Sequence, residues 1–138
     1  MSLKKDRTNS FDHKYMRFAI NLANNQKGLT GTNPSVGCVI VKDKKIISYG
    51  VTSLNGRPHA ESVALNRCKN NSSESTMYIT LEPCSHYGKT PPCVNTIIQK
   101  GVSKVCYSIL DSDSRTQNKA KSILLKKKIK VKTGILKN

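Results

Sequence analysis

The 138-residue chain predicts an α/β fold, a mixed five-stranded sheet with helices on both faces. An apolar hairpin, Val36 to Tyr49, is followed by strand-like runs that alternate with helix-like ones. Residues 11–26 place Met16, Ala19, Ile20 and Ala23 at the i, i+3, i+4, i+7 spacing of an amphipathic helix. No repeat or Pro/Gly-rich linker divides residues 11–138, which read as one domain behind a polar, poorly ordered tail of residues 1–10.

Each element has its own signal. Thr32-Asn33-Pro34 breaks the first helix. Val36 to Val41 is a near-continuous apolar run containing Gly37, the mark of a strand buried on both faces. Asp43-Lys44-Lys45 is a short turn, and Ile46 to Tyr49 is the returning strand. His59 to Cys68 reads as a helix with Ala60, Ala64 and Cys68 along one face. Thr76 to Leu81 is a strand, ended by Pro83. Thr90-Pro91-Pro92 opens a helix, with Thr90 as cap and Pro91 at the first helical position. That helix turns Val94, Ile97 and Ile98 inward and stops at Gly101. Val105 to Leu110 is a strand, Gln117 to Lys126 a helix with Ala120, Ile123 and Leu124 inward, and Ile129 to Val131 a last strand. After the hairpin, strands alternate with helices, which implies parallel pairing through right-handed crossovers.

Charge and cysteine usage narrow the function. Lys and Arg number 24 against 8 Asp and Glu, for a net charge of +16. Apart from the cluster Lys126 to Lys132 the lysines are spread along the chain, so the charge reads as a general positive field, not a dedicated nucleic-acid surface. A phosphorylated small substrate gains from the same field. No apolar stretch approaches the roughly 20 residues that span a membrane. Met1 to Ser10 lacks the apolar core of a secretory signal, so a reducing cytoplasm is expected. There the five cysteines are expected to be metal ligands or buried hydrophobes, not disulfides.

The potential ligands are concentrated. The chain has three histidines. One lies in His59-Ala60-Glu61 and another in Glu82-Pro83-Cys84-Ser85-His86, each at the N-terminal side of a predicted helix. Exposed N–H groups and the helix dipole favour thiolates there. Two thiolates and a neutral imidazole neutralise Zn²⁺ and leave a fourth tetrahedral position for water, as catalytic zinc requires. Zinc deaminases carry H-x-E…P-C-x-x-C, with the Glu a proton carrier and not a ligand. His59-x-Glu61 and Pro83-Cys84 match; the next cysteine, Cys93, lies beyond a longer loop. The expected ligands are His59, Cys84 and Cys93, with His86 as an alternative to Cys93. Cys38, Cys68 and Cys106 read as core, and Glu82 as a structural residue at a strand end.

Asn33-Pro34-Ser35-Val36-Gly37, His59-Ala60-Glu61 and the run Thr80 to Cys93 together resemble the deaminase domain of bacterial riboflavin biosynthesis, over residues of about 12 to 136. The Cys84–Cys93 spacing is the most specific part. The resemblance implies a three-layer α/β/α cytidine-deaminase-like fold and zinc as cofactor. It also implies hydrolysis of the ring amine of 2,5-diamino-6-(5-phosphoribosylamino)pyrimidin-4(3H)-one, with Glu61 passing protons from water to the ring and then to the departing amine. Asn33 is expected to bond the pyrimidine and Lys89, in Gly88-Lys89-Thr90, to meet the phosphate. His86, Thr90, Thr52, Asp111 and Asp113 complete the implied substrate contacts.

Two segments depart from the pattern. Many relatives carry a histidine where this chain has Thr52, and many read D-P-N-P-x-x-x-G-x-G where this chain has Asp111 to Ala120, with Asp113 in place of the asparagine. Arg115 or Lys119 is the expected substitute for a lost phosphate contact. A homo-oligomer and a reductase, as a following domain or a separate chain, are the implied partners. The competing readings are a tRNA adenosine or other nucleic-acid deaminase, favoured by the charge, and a non-catalytic zinc-stabilised RNA-binding module. The Cys84–Cys93 spacing opposes the first and Glu61 the second.

Overall fold

The computed structural model describes residues 3–31, 34–85, 93–109 and 117–137, with the side chains of 3–9 and 55 outside the description. Its elements are α1 (Leu3–Asn25), β1 (Gly37–Lys42), β2 (Lys45–Val51), α2 (Ala60–Cys68), β3 (Thr76–Leu81), α3 (Cys93–Gln99), β4 (Lys104–Ile109), α4 (Lys119–Lys126) and β5 (Lys130–Thr133). The order is the one the sequence predicts. The first helix starts earlier than expected, because nothing between Leu3 and Ser10 breaks it: the stretch has neither Pro nor Gly. A 3-10 turn at Leu54–Gly56 has no counterpart in the sequence reading.

The sheet is mixed, with strand order β2-β1-β3-β4-β5. β3, β4 and β5 are parallel, as the alternation implies. β1 runs antiparallel to both of its neighbours, β2 and β3. The hairpin therefore folds β2 to the outside and leaves β1 in the middle, which explains its apolar run: every β1 residue from Gly37 to Val41 is buried.

Alternate residues feed two cores. On one face Cys38, Ile40, Met77, Ile79, Val105 and Tyr107 pack with α2, α3 and α4 through Ala64, Leu65, Val94, Ile97 and Leu124. On the other face Val39, Val41, Tyr78 and Cys106 meet α1 through Tyr15, Met16 and Ala19. Cys38, Cys68 and Cys106 are buried free thiols in these cores, as expected. Asp12 ties α1 down: it is 2% exposed, accepts the Tyr78 hydroxyl at 2.5 Å and pairs with Lys132 Nζ at 2.7 Å.

Two glycines set the helix heights. A Cβ at Gly37 would overlap the Ala19 carbonyl oxygen of α1. A Cβ at Gly50 would lie 2.5 Å from the Ala60 carbonyl oxygen and 2.7 Å from the Ala64 nitrogen. The second contact matters for the site, because α2 carries Glu61 and follows His59. The Ser48 hydroxyl adds a bond to the Ala64 carbonyl at 2.7 Å. Gly50→Ala is expected to push α2 off the sheet and cost about 1–3 kcal/mol, read as a lower urea midpoint with an unchanged slope.

Candidate metal and active site

The carboxyl end of β3 and the N-terminal ends of α2 and α3 meet at one place. His59 is the N-cap of α2, with extended backbone at φ −69° and ψ 159°. The helix therefore begins one residue later than the sequence suggests, and the His59 ring stands before its first turn. Cys84 follows β3 by way of Glu82 and Pro83, and the Glu82 N–H donates to the Ile109 carbonyl at 2.9 Å to hold that exit. Cys93 is the first described residue of α3, 3% exposed. Its N–H donates to Cys84 Sγ at 3.1 Å, and the next N–H, of Val94, donates to the Cys84 carbonyl at 3.2 Å.

These residues bring one nitrogen and two sulfurs together. His59 Nδ1 lies 3.4 Å from Cys93 Sγ and 3.9 Å from Cys84 Sγ. The donor atoms all lie within 4.8 Å of one another, the one such group of metal-binding side chains among the described residues. Ligands at ordinary Zn–N and Zn–S distances in a tetrahedron stand about 3.5 Å (N to S) and about 3.8 Å (S to S) apart. The donor set and its spacing fit zinc, with Nδ1 as the imidazole donor.

Of the three donors, Cys84 is the one shifted toward its metal-binding form. The hydrogen bond from the Cys93 thiol, helped by His59 and by the Cys93 N–H, lowers the Cys84 thiol to about 4. That same bond, with burial, raises the Cys93 thiol. The contact with Cys84 raises the His59 imidazole. Glu61, in the first turn of α2, is 4% exposed, and burial pushes its carboxyl up to about 7. A carboxyl held near neutrality beside a metal-ligand cluster can both take and return a proton at physiological pH.

The other expected site residues divide. Asn33, His86, Lys89, Thr90, Asp111 and Asp113 lie outside the described residues, as does Arg115. Thr52 is described and is 2% exposed, with its hydroxyl bonded to backbone. Thr80, which sequence reading passed over as a strand residue, accepts the Gly37 N–H at 3.2 Å on Oγ1. No spacing signals such a hydroxyl, since its partner is distant in the chain.

Fold and donor set together define a zinc-binding deaminase. The family model of the cytidine and deoxycytidylate deaminase zinc-binding region matches residues 9–109, and the chain belongs to that family. It is 46% identical over 125 residues to the diaminohydroxyphosphoribosylamino-pyrimidine deaminase of Buchnera aphidicola subsp. Schizaphis graminum, covering 91% of this chain and 85% of that protein. Among solved structures it is similar to Acinetobacter baumannii RibD, at 40% identity and TM-score 0.88, covering 94% of this chain and 37% of that one. It is also similar to a diaminohydroxyphosphoribosylaminopyrimidine deaminase/5-amino-6-(5-phosphoribosylamino)uracil reductase of Thermotoga maritima, at 34% identity and TM-score 0.87, covering 94% of this chain and 38% of that one. The chain thus spans most of the Buchnera enzyme and well under half of the other two. No described helix is long and apolar enough to cross a membrane.

Proposed function

We propose that this chain hydrolyses 2,5-diamino-6-(5-phosphoribosylamino)pyrimidin-4(3H)-one to 5-amino-6-(5-phosphoribosylamino)uracil and ammonia, in the cytoplasm, as a step of riboflavin biosynthesis. The observation that carries the reading is the convergence of His59 Nδ1, Cys84 Sγ and Cys93 Sγ within 4.8 Å, beside the buried Glu61. The likeness to the Buchnera deaminase, over most of both chains, supports the substrate.

His59, Cys84 and Cys93 would hold one zinc ion, which when bound supplies Lewis acidity and brings water toward hydroxide at neutral pH. Glu61 takes one proton from water and gives it to a ring nitrogen, then takes the second from the new hydroxyl on the tetrahedral carbon and gives it to the amine, which leaves as ammonia as the carbonyl forms. Burial does this by destabilising its carboxylate enough that either protonation state is within reach near pH 7. Cys38, Ala60 and Ala64 belong to the buried core on which α2 sits. Asn33 bonds the pyrimidine, and Lys89 meets the ribose phosphate. We further propose that the active form is a homo-oligomer working with a reductase, as a linked domain or a separate chain.

Ammonia release from the diaminopyrimidine nucleotide and from tRNA tests the substrate. Release from the nucleotide alone is expected, and adenosine deamination in tRNA alone would overturn the reading. Lys89→Ala is expected to lower kcat/KM about tenfold to a hundredfold, since a charge-assisted hydrogen bond is worth roughly 1.5–3 kcal/mol. The loss should vanish for substrate lacking its phosphate. An equal loss on both would remove Lys89 from phosphate recognition.

A further inference from the structure

We infer that Thr52 is a positioning residue whose hydroxyl clamps the Pro34–Val36 segment between the two strand ends that lead to the metal ligands. The sheet register sets the scene. Gly37 pairs with Val51 of β2, and Cys38 pairs with Ile79 of β3. One step further out, Val36 falls between Thr52, where the chain leaves β2 toward His59, and Leu81, where β3 leads on to Cys84. The segment before β1 is therefore the wall between the two ligand-bearing connections.

At this point the ladder changes its partner. The Thr52 N–H donates to the Val36 carbonyl at 2.9 Å, as an antiparallel pair requires. The return bond does not go to the Thr52 carbonyl. The Val36 N–H instead donates to Thr52 Oγ1 at 2.9 Å. The hydroxyl proton has two acceptors in reach, the Pro34 carbonyl at 3.3 Å and the Val36 carbonyl at 3.4 Å. Its own carbonyl is thereby released from the ladder and accepts Gln26 Nε2, from the chain just after α1, at 3.3 Å. One hydroxyl replaces a backbone acceptor, ends the strand, and lets the chain turn away.

The consequences run toward both sides of the site. On the far side Ser35 is held by its hydroxyl bond to the Ala23 carbonyl at 2.5 Å, and Gly37 by Thr80. On the near side the turn after Thr52 is closed by the Ser53 N–H on the Pro58 carbonyl at 3.2 Å, directly before His59. Thr52 is 2% exposed and Val36 8%, so neither group has water to fall back on. Thr52 thereby fixes the chain that leads into β1, with its hydroxyl engaged by that backbone.

The kinetic side of this inference rests on the deaminase reading, and its structural side does not. Thr52→Val keeps the shape and removes the hydroxyl, and Thr52→Ser keeps the hydroxyl. Both would be compared with wild type for zinc per chain, hydrogen exchange at the Val36 amide, and KM and kcat on the diaminopyrimidine nucleotide. Thr52→Val is expected to retain zinc, to speed Val36 exchange about tenfold or more, and to raise KM about tenfold with kcat changed less than about threefold, the size of effect that one orphaned buried donor produces. Thr52→Ser should restore both. Wild-type exchange and KM in folded Thr52→Val would overturn the clamp, as would equal losses in Thr52→Ser. If Thr52→Val does not fold, Thr52→Cys decides, because its thiol is a weak substitute for the hydroxyl as donor and acceptor: faster Val36 exchange with raised KM supports the clamp, and no change in either overturns it. A wild type inert on the nucleotide, yet with the expected exchange contrast, would sink the substrate reading and leave the clamp standing.

Discussion

Glu61→Gln protein is expected to keep its zinc and its fold while turnover falls by about 10²–10⁴-fold or more. The amide matches the carboxyl in shape but cannot accept and return a proton. The range is what one general acid–base step contributes, and Glu61 serves several steps in a cycle, so the loss should lie at its upper end or beyond. The fold should survive because the site already disfavours charge at this position. Burial holds the carboxyl up to about 7, so a neutral side chain of the same size meets no new desolvation cost. Metal analysis and a thermal scan must accompany the rate measurement. Metal-replete, folded Glu61→Gln enzyme with near wild-type turnover would remove Glu61 from the chemistry.

Cys93→Ala is expected to lose most of the roughly one zinc per chain that the three-donor site would hold, and with it the activity. Three protein ligands leave little reserve: removing one sulfur leaves Cys84 and His59 as a two-donor site. Cys93 also lends its N–H to Cys84 Sγ, but that bond is backbone and survives the substitution. The loss would therefore report the sulfur itself. Zinc at wild-type content would mean that another side chain completes the set, and His86 is the residue to substitute next. A chelator should act in the same direction on the wild type, with activity returning on addition of zinc. Because the ligands bind as thiolates and neutral imidazole, acidification should release the metal as well.

Much of this molecule was legible before its structure. Period-two and period-3.6 patterns report burial directly, so the element order from α1 to β5 followed from residues such as Met16, Ala19 and the run Val36 to Val41. Ligand chemistry is legible for a related reason. His59, Glu61 and Cys84 are rare residue types in this chain, and each sits within a few residues of a helix start or strand end. Local sequence thus carries both their identity and their setting.

Contacts between distant segments had no such signature, and tertiary structure decided them. The sequence implied a hairpin but not that β1, its first strand, would insert beside β3 and run antiparallel to it. Gly50 lies just past the predicted strand Ile46 to Tyr49 and carried no signal there, whereas the approach of Ala60 and Ala64 makes it a spacer for α2. The sequence offered Cys93 as a ligand across a longer loop without fixing the approach, and the 3.1 Å bond from the Cys93 N–H to the Cys84 sulfur shows how close the two come. Thr52 is the clearest case. The resemblance set it among the substrate contacts, and the fold adds bonds of its hydroxyl to the backbone of Pro34 to Val36 and of its carbonyl to Gln26 that no sequence pattern signals. Which partners the hydroxyl meets depends on residues 16 and 18 positions away, and only packing brings those within hydrogen-bond reach.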